Sequence, residues 1–339
     1  MNSSSWRSPS NIALVKYWGK FDQQLPANPS ISFTLSTSCT DTLLTWEPAA
    51  DGGDIEVIFE GRPAPEFAPK IEQYFERIAQ WVPFFKDFNY RIDTTNTFPH
   101  SSGIASSASG MSALALCTVD MARALGIHFD DERQAASTMA RLGSGSASRS
   151  VYGPLAVWGR HDEIDGSSDD FAIPYSHINP LYEKYQDYIL LVDKGQKKVS
   201  STAGHNLMKR HPYAKTRFAH AHANLSELTM YLTNGDLMEF GGLVESEALT
   251  LHAMMMTSRP YFMLFKPNTI SIIEQVWAFR EETKTPLHFT LDAGANVHLL
   301  FPEEAKQSVD DFVRSELVGY CKQGEYLCDH VGQGPEQLK

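Results

Sequence analysis

The chain has 339 residues, enough for two core-bearing lobes or one large domain split by a cleft, and its 42% hydrophobic and 21% charged residues exclude disorder as the default state. A net charge of −12 excludes a broad nucleic-acid or anionic-membrane surface, since both require a basic face. It leaves room for a small anionic ligand gripped by a few converging Lys and Arg side chains.

The first ten residues are polar with no apolar run, so no secretory signal is expected. No apolar stretch approaches the roughly 18 residues of a membrane-spanning helix, and a cytoplasmic location follows by elimination. Asn11 to Lys20 is apolar and aromatic apart from Lys16 and Lys20, which either snorkel at a surface or line a small anionic pocket. Thr42 to Glu47 and Ile55 to Phe59 read as strands, and Asp51-Gly52-Gly53-Asp54 between them predicts a hairpin. A helix is expected over Pro69 to Trp81, then a half-buried strand where Phe88, Tyr90 and Ile92 alternate with polar residues. Met111, Leu114, Ala115, Thr118, Ala122 and Leu125 recur at helical steps, with Gly126 as the stop. A second helix is expected over Asp130 to Leu142. Strands are expected at Leu155 to Gly159 and Tyr188 to Val192, and helices from about Tyr213 to Met256. Leu287 to Leu291, the turn Asp292 to Asn296, and Val297 to Phe301 read as strand, turn, strand. No internal repeat is present. A lobe boundary is placed within residues 175–187, dividing the chain into 1–183 and 184–339. Strand pairs and helix blocks without regular βαβ alternation indicate an α+β fold.

Two segments consist almost wholly of small residues. Pro99 to Gly110 opens a helix, where bare amides and hydroxyls suit a polyphosphate; the same composition also suits a tightly packed helix. Gly143 to Ser150 lies between Arg141 and Arg149, whose guanidinium groups suit phosphate or carboxylate oxygens; alternatively it is a flexible surface linker. Asp292 is either a turn former or a general base. Cys39, Cys117, Cys321 and Cys328 have no metal-like spacing and are expected as buried free thiols. The twelve histidines are expected to be structural or at the surface, His100 being the one reserved for the first small-residue segment, and Met254 to Met256 are expected in a core.

Taken together these segments resemble the GHMP superfamily of small-molecule kinases and, within it, the mevalonate diphosphate decarboxylase family. The carriers are Asn11-Ile-Ala-Leu-Val-Lys-Tyr-Trp-Gly-Lys20, Pro99 to Gly110, Gly143-Ser-Gly-Ser-Ala-Ser-Arg-Ser150, Lys198-Val-Ser-Ser-Thr-Ala-Gly204 and Asp292-Ala-Gly-Ala-Asn296, in family order. Ser148 stands where the family usually has Cys, His205 where it often has Met, Ala295 where it has Pro, and Phe21 where a charged residue is common.

The resemblance implies a two-lobed GHMP-kinase-like fold with its active site in the cleft. It implies catalytic roles for Asp292, Lys16, Arg149, Ser107, Asn96 and Ser201. Substrate contacts are implied for Tyr17, Lys20, Ser144, Gly145, Ser146 and Thr202, and nucleotide contacts for Pro99, Ser101, Ser102, Gly103, Ala105, Ser106 and Ser107. It further implies ATP as co-substrate, Mg²⁺ with it, a homodimer, and decarboxylation of mevalonate diphosphate to isopentenyl diphosphate. The metal ligands are not assigned by it. The competing readings are a monophosphate decarboxylase, a kinase-only sister, and a non-catalytic nucleotide or anion sensor.

Overall fold

The computed structural model describes residues 2–50, 53–99, 104, 106–193 and 201–338, with the side chains of residues 201 and 202 excepted. In chain order the elements are β1 (Asn2–Val15), β2 (Ser30–Pro48), β3 (Ile55–Phe59), β4 (Arg62–Pro63), α1 (Ala68–Ile78), β5 (Phe88–Asn96), α2 (Ser106–Ala124), α3 (Glu132–Gly143), β6 (Leu155–Trp158) and β7 (Ala172–Pro174). They continue as β8 (Gln186–Leu190), α4 (Ser201–Leu207), α5 (Ala214–Asn234), α6 (Leu237–Met256), α7 (Pro267–Thr283), β9 (His288–Thr290), β10 (Val297–Phe301), α8 (Lys306–Phe312), β11 (Tyr326–His330) and β12 (Glu336–Gln337). The α+β expectation holds.

The spine of the first sheet is β1 paired antiparallel with β2, in the order β12-β1-β2-β5-β3-β4, with β6 and β7 continuing from the other part of β2. β1 carries few apolar residues in its first half, and Pro9 sits where its register shifts, a position that tolerates a missing N–H. Ser4 and Ser8 are buried with their hydroxyls hydrogen-bonded instead. Ser4 Oγ and Trp6 Nε1 donate to the Asp120 carboxylate at 2.6 and 2.7 Å, and Ser8 bonds Ser112 at 2.7 Å. Gln337 on β12 donates to the same carboxylate at 2.9 Å. Asp120 and Ser112 lie on α2, whose small residues Ala108, Ser109, Ser112, Ala113 and Ala115 let it lie close over β1 and β2. Ala108 and Ser109, at the end of the first small-residue segment, take part in that packing.

The hairpin expected around residues 51–54 does not form. β3 pairs in parallel with β5, and β5 fills the place beside β2. The connection is long enough to carry β3 one strand outward, and β5, apolar at Tyr90 and Ile92, enters the gap. Gly53 marks that close passage: a Cβ there would collide with the Phe88 carbonyl.

The second sheet is antiparallel in the order β11-β8-β10-β9 and packs against α6, α7 and α8. The expected strand-turn-strand around Asp292 is β9 and β10, and the helical stretch from Tyr213 divides into α5 and α6 at Gly235, whose φ is 81°. A shared core joins the sheets, with Phe33 and Val157 from the first, Ile189 and Leu300 from the second, and Phe240 and Val244 from α6. Two expectations are corrected. Cys328 is exposed, because the face of edge strand β11 that carries it points outward, while the other three cysteines are buried. Met256 is exposed at the end of α6, while Met254 and Met255 are buried.

One carboxylate fastens the second sheet to the first. Asp329 on β11 accepts the backbone N–H groups of Ser36 and Thr37 at 2.9 Å each and of Ser38 at 2.7 Å, inside β2. Hydrogen bonds to a charged acceptor are worth about 1.5–3 kcal/mol each, and unpaired buried donors cost more. Asp329→Ala is therefore expected to lower unfolding stability by at least about 3 kcal/mol, read as a fall in the urea midpoint at constant slope.

Candidate active site

β1 ends by delivering Lys16 to the interior. Its side chain is 2% exposed, and Nζ lies 3.3 Å from Asp292 Oδ1, in the turn between β9 and β10. The Asp292 side chain is 27% exposed, so the carboxylate is reachable from solvent where the ammonium is not. Burial lowers the pKa of Lys16, and Asp292 is the largest influence holding the charge on. The lysine backbone is clamped as well. Its N–H donates to Glu247 Oε2 at 2.8 Å, and its carbonyl accepts from Asn28 at 3.0 Å and Arg217 at 3.1 Å. Arg217 and Glu247 form a two-pronged pair at 2.6 and 3.0 Å with no solvent exposure. The Asp292 turn is tied down too: the Ala295 carbonyl accepts from Thr269, and His252 Nε2 stands 3.1 Å from the Asp292 carbonyl.

Arg149 lies on a buried 3₁₀ turn, Gly145–Val151, so the second small-residue segment is not a surface linker. Its guanidinium donates to Ser32 at 3.0 Å, Ser30 at 2.6 Å and Asn11 at 3.2 Å, and its centre lies 5.9 Å from the Trp158 ring. Burial lowers its pKa to about 10, and the field of Asp292 opposes that. Among the described residues it has no carboxylate in ion-pair contact. Two buried cations thus face one carboxylate, and an anionic ligand would balance the excess. Arg141, by contrast, is tied to Asp170 and to the Gln23 carbonyl, a structural clamp.

Tyr17 fits between Trp158 and His205, with ring centroids at 4.7 and 4.3 Å. Its hydroxyl is buried with no hydrogen-bond partner among the described residues. Gly145 is required beside it, since a Cβ there would lie 2.9 Å from that hydroxyl. Ser144 and Ser107 approach to 3.3 Å, which brings the two small-residue segments together. Ser146 is half-buried, and its carbonyl accepts from Asn11. Asn96 bonds Thr40, which bonds Ser109 in the first turns of α2, so it stands beside that helix start rather than in the Lys16–Asp292–Arg149 group. Pro99 and Ser106 are half-buried. Ser101, Ser102, Gly103 and Ala105, with His100, lie outside the described residues, as do the side chains of Ser201 and Thr202.

Lys20 bonds Gln24 at 2.6 Å, and its pKa is lowered first by burial and then by the fields of Arg77, Lys209 and Lys70. These three cations were not singled out in the sequence. Lys70 and Arg77 are seven residues apart on α1 and so share a face, a spacing that offered the only signal. His205 accepts the Gly19 N–H at 2.9 Å, and no group of three or more His, Cys, Asp or Glu residues suited to a metal occurs among the described residues.

Residues 8–172 match the model of the diphosphomevalonate decarboxylase-like N-terminal domain, and residues 188–336 that of the mevalonate 5-diphosphate decarboxylase C-terminal domain. A phosphomevalonate decarboxylase of Haloferax volcanii is 30% identical over 311 residues, spanning 88% of each chain. A diphosphomevalonate decarboxylase of Bos taurus is 29% identical, spanning 85% of this chain and 74% of its own. A solved structure described as MDDEF in complex with MVAPP, AMPPCP and magnesium superposes with a TM-score of 0.86 at 26% identity, covering 99% of both chains. With its GHMP-kinase-like fold and both halves matched in order, the chain belongs to the family of decarboxylases that act on phosphorylated mevalonate.

Proposed function

We propose that this chain catalyses the ATP-dependent decarboxylation of (R)-5-diphosphomevalonate to isopentenyl diphosphate, releasing ADP, phosphate and CO₂. The observation that carries the reading is the convergence of buried Lys16 and Arg149 on Asp292, beside the contact of Ser107 with Ser144. The substrate brings a carboxylate for the excess positive charge, and the Lys20, Lys70, Arg77 and Lys209 cluster suits its phosphorylated tail. The orphaned Tyr17 hydroxyl would find an acceptor in the same tail.

In this reading Asp292 takes the proton of the tertiary 3-hydroxyl as that oxygen bonds the γ-phosphorus of ATP and ADP leaves. The new phosphate then departs with the C–O bonding pair, carbon 3 becomes electron-poor, and the pair of the bond to the carboxylate fills it as CO₂ is lost. The departing phosphate carries away the proton that Asp292 took, the regenerated Asp292 carboxylate stabilises the positive carbon, Lys16 holds Asp292 in place, and Arg149 orients the substrate carboxylate. Mg²⁺, bound with the nucleotide, would neutralise its phosphate charge; the hydroxyls of Ser107 and Ser144, which approach to 3.3 Å, would be the groups of this chain beside it. Ser201 and Thr202 complete the proposed substrate contacts, and the phosphate loop from Pro99 to Ser107, with Asn96 beside it, those to nucleotide. A cytoplasmic homodimer of chains divided into lobes 1–183 and 184–339 belongs to the same proposal.

The Haloferax relative favours a second reading, in which the tail is a monophosphate. A lost charge-assisted contact costs on the order of 1.5–3 kcal/mol, so the diphosphate is expected to exceed the monophosphate at least roughly tenfold in kcat/KM. Coupled ADP and phosphate release measured with each compound decides this. Equal or better use of the monophosphate removes the diphosphate assignment, and no substrate-dependent release removes catalysis.

Asp292→Asn keeps a turn-forming side chain but loses the base, so kcat is expected to fall by roughly 10²–10⁴ with substrate and ATP affinities little changed; a mutant within a few-fold of wild type would leave Asp292 a turn former. Arg149→Lys keeps the charge and loses the fork that reaches Ser30, Ser32 and Asn11 together. Its kcat/KM is expected to fall at least roughly a hundredfold, the equivalent of about 2.7 kcal/mol, with the melting curve retained.

A further inference from the structure

Lys16 and Asp292 are 276 residues apart in sequence and follow strands of different sheets, yet the reaction proposed above needs them at one separation. A single helix touches both. Glu247 on α6 accepts the Lys16 N–H at 2.8 Å, and Arg217 and Asn224 fix its carboxylate from α5. Five residues on, about 7.5 Å along the axis and about 140° around it, His252 reaches the Asp292 carbonyl at 3.1 Å. The partner is a carbonyl oxygen, so that ring nitrogen carries the proton and donates. The imidazole is 1% exposed and stacks on Phe265 at 4.1 Å with the rings 6° from parallel. Burial lowers its pKa to about 4, which leaves it neutral near pH 7.

We propose that α6 is the ruler of the reaction centre and that His252 is a positioning residue, holding the Asp292 turn at the height where Glu247 on the same helix holds Lys16. The inference rests on the decarboxylase reading for its kinetic consequences but not for its structural one. His252 touches no reacting atom. Loss of its N–H lets the Asp292 turn drift from Lys16 while the helix stays in place.

The groups that act on Lys16 are Asp292 from the β9–β10 turn, Glu247 and His252 from α6, Arg149 from the 3₁₀ turn and Asp187 from β8. Burial lowers the lysine's pKa and Asp292 opposes this most strongly. Drift of the turn weakens that opposition and leaves the other groups in place, so Lys16 gives up its proton at lower pH.

The test is His252→Phe, which keeps a ring on Phe265 and removes the donor. The expected result is a kcat between tenfold and a hundredfold lower, the scale of a misplaced reacting group. KM for ATP should stay within about twofold, and the alkaline limb of kcat/KM should move to lower pH. His252→Gln, which keeps an N–H donor, should recover most of kcat. The ligand-free readout is the Lys16 ammonium followed by NMR in ¹⁵N-lysine-labelled protein, assigned with Lys16→Arg, titrating at lower pH in the Phe variant than in wild type. Should the phenyl ring prevent folding, His252→Met serves for the same measurements. A lowered melting temperature with unchanged kcat, or an unchanged Lys16 titration, would reduce His252 to a structural residue and overturn the proposal. Wild-type protein inactive on both phosphorylated mevalonates would overturn the function reading alone, since the Lys16 titration still decides this one.

Discussion

A lysine ammonium taken out of water costs several kcal/mol unless the protein answers its charge, and at Lys16 elements of both sheets take part in the answer. β1 of the first sheet brings the lysine in. The β9–β10 turn of the second brings Asp292 to 3.3 Å, while α5 and α6 close on the lysine's own backbone with Arg217 and Glu247. Remove that meeting and neither sheet has reason to present its strand end here. Arg149, resting on hydroxyl and amide groups, leaves the local charge positive inside a chain whose net charge is −12. An acidic surface around a cationic interior is a sound arrangement for a small, highly charged anion, because the attraction is felt only where water is already thinned.

The small residues serve two purposes at once. In α2 they permit close packing on β1 and β2, while Ser107 at the same helix's start remains exposed and meets Ser144. In the second segment Gly143 makes room for Met111 and Tyr74, and Gly145 for Tyr17 and Trp158. Backbone near a ligand and backbone near a neighbouring element require the same absence of side chain, so composition alone leaves the two undivided.

Much of the site was legible because its groups lie in short, ordered motifs: Lys16, Arg149 and Asp292 were all named from them, and strand periodicity located β9 and β10. What escaped did so for physical reasons. Strand β1 is not legible because serines are not the mark of a buried strand; the burial of Ser4 and Ser8 is made possible by Asp120 and Ser112, far away in sequence. The absent hairpin is not legible because a local turn signal says nothing of a third strand that later takes the vacant place. The start of α2 at Ser106 is not legible either, since its first turn has no apolar periodicity to read. Lys70, Arg77 and His252 looked like ordinary helix residues, and only packing gave them their neighbours.

The pairing of β12 with β1 bears on the order in which the molecule is made. Trp6 faces Gln337 and Arg7 faces Glu336, and Gln337 joins Ser4 and Trp6 on the Asp120 carboxylate. During synthesis, β1 therefore waits with an open edge and an incompletely answered carboxylate until almost the whole of this sequence has been made. The first half emerges early but cannot finish alone. Until β12 covers it, that strand edge is open to a chaperone or to pairing with another nascent chain.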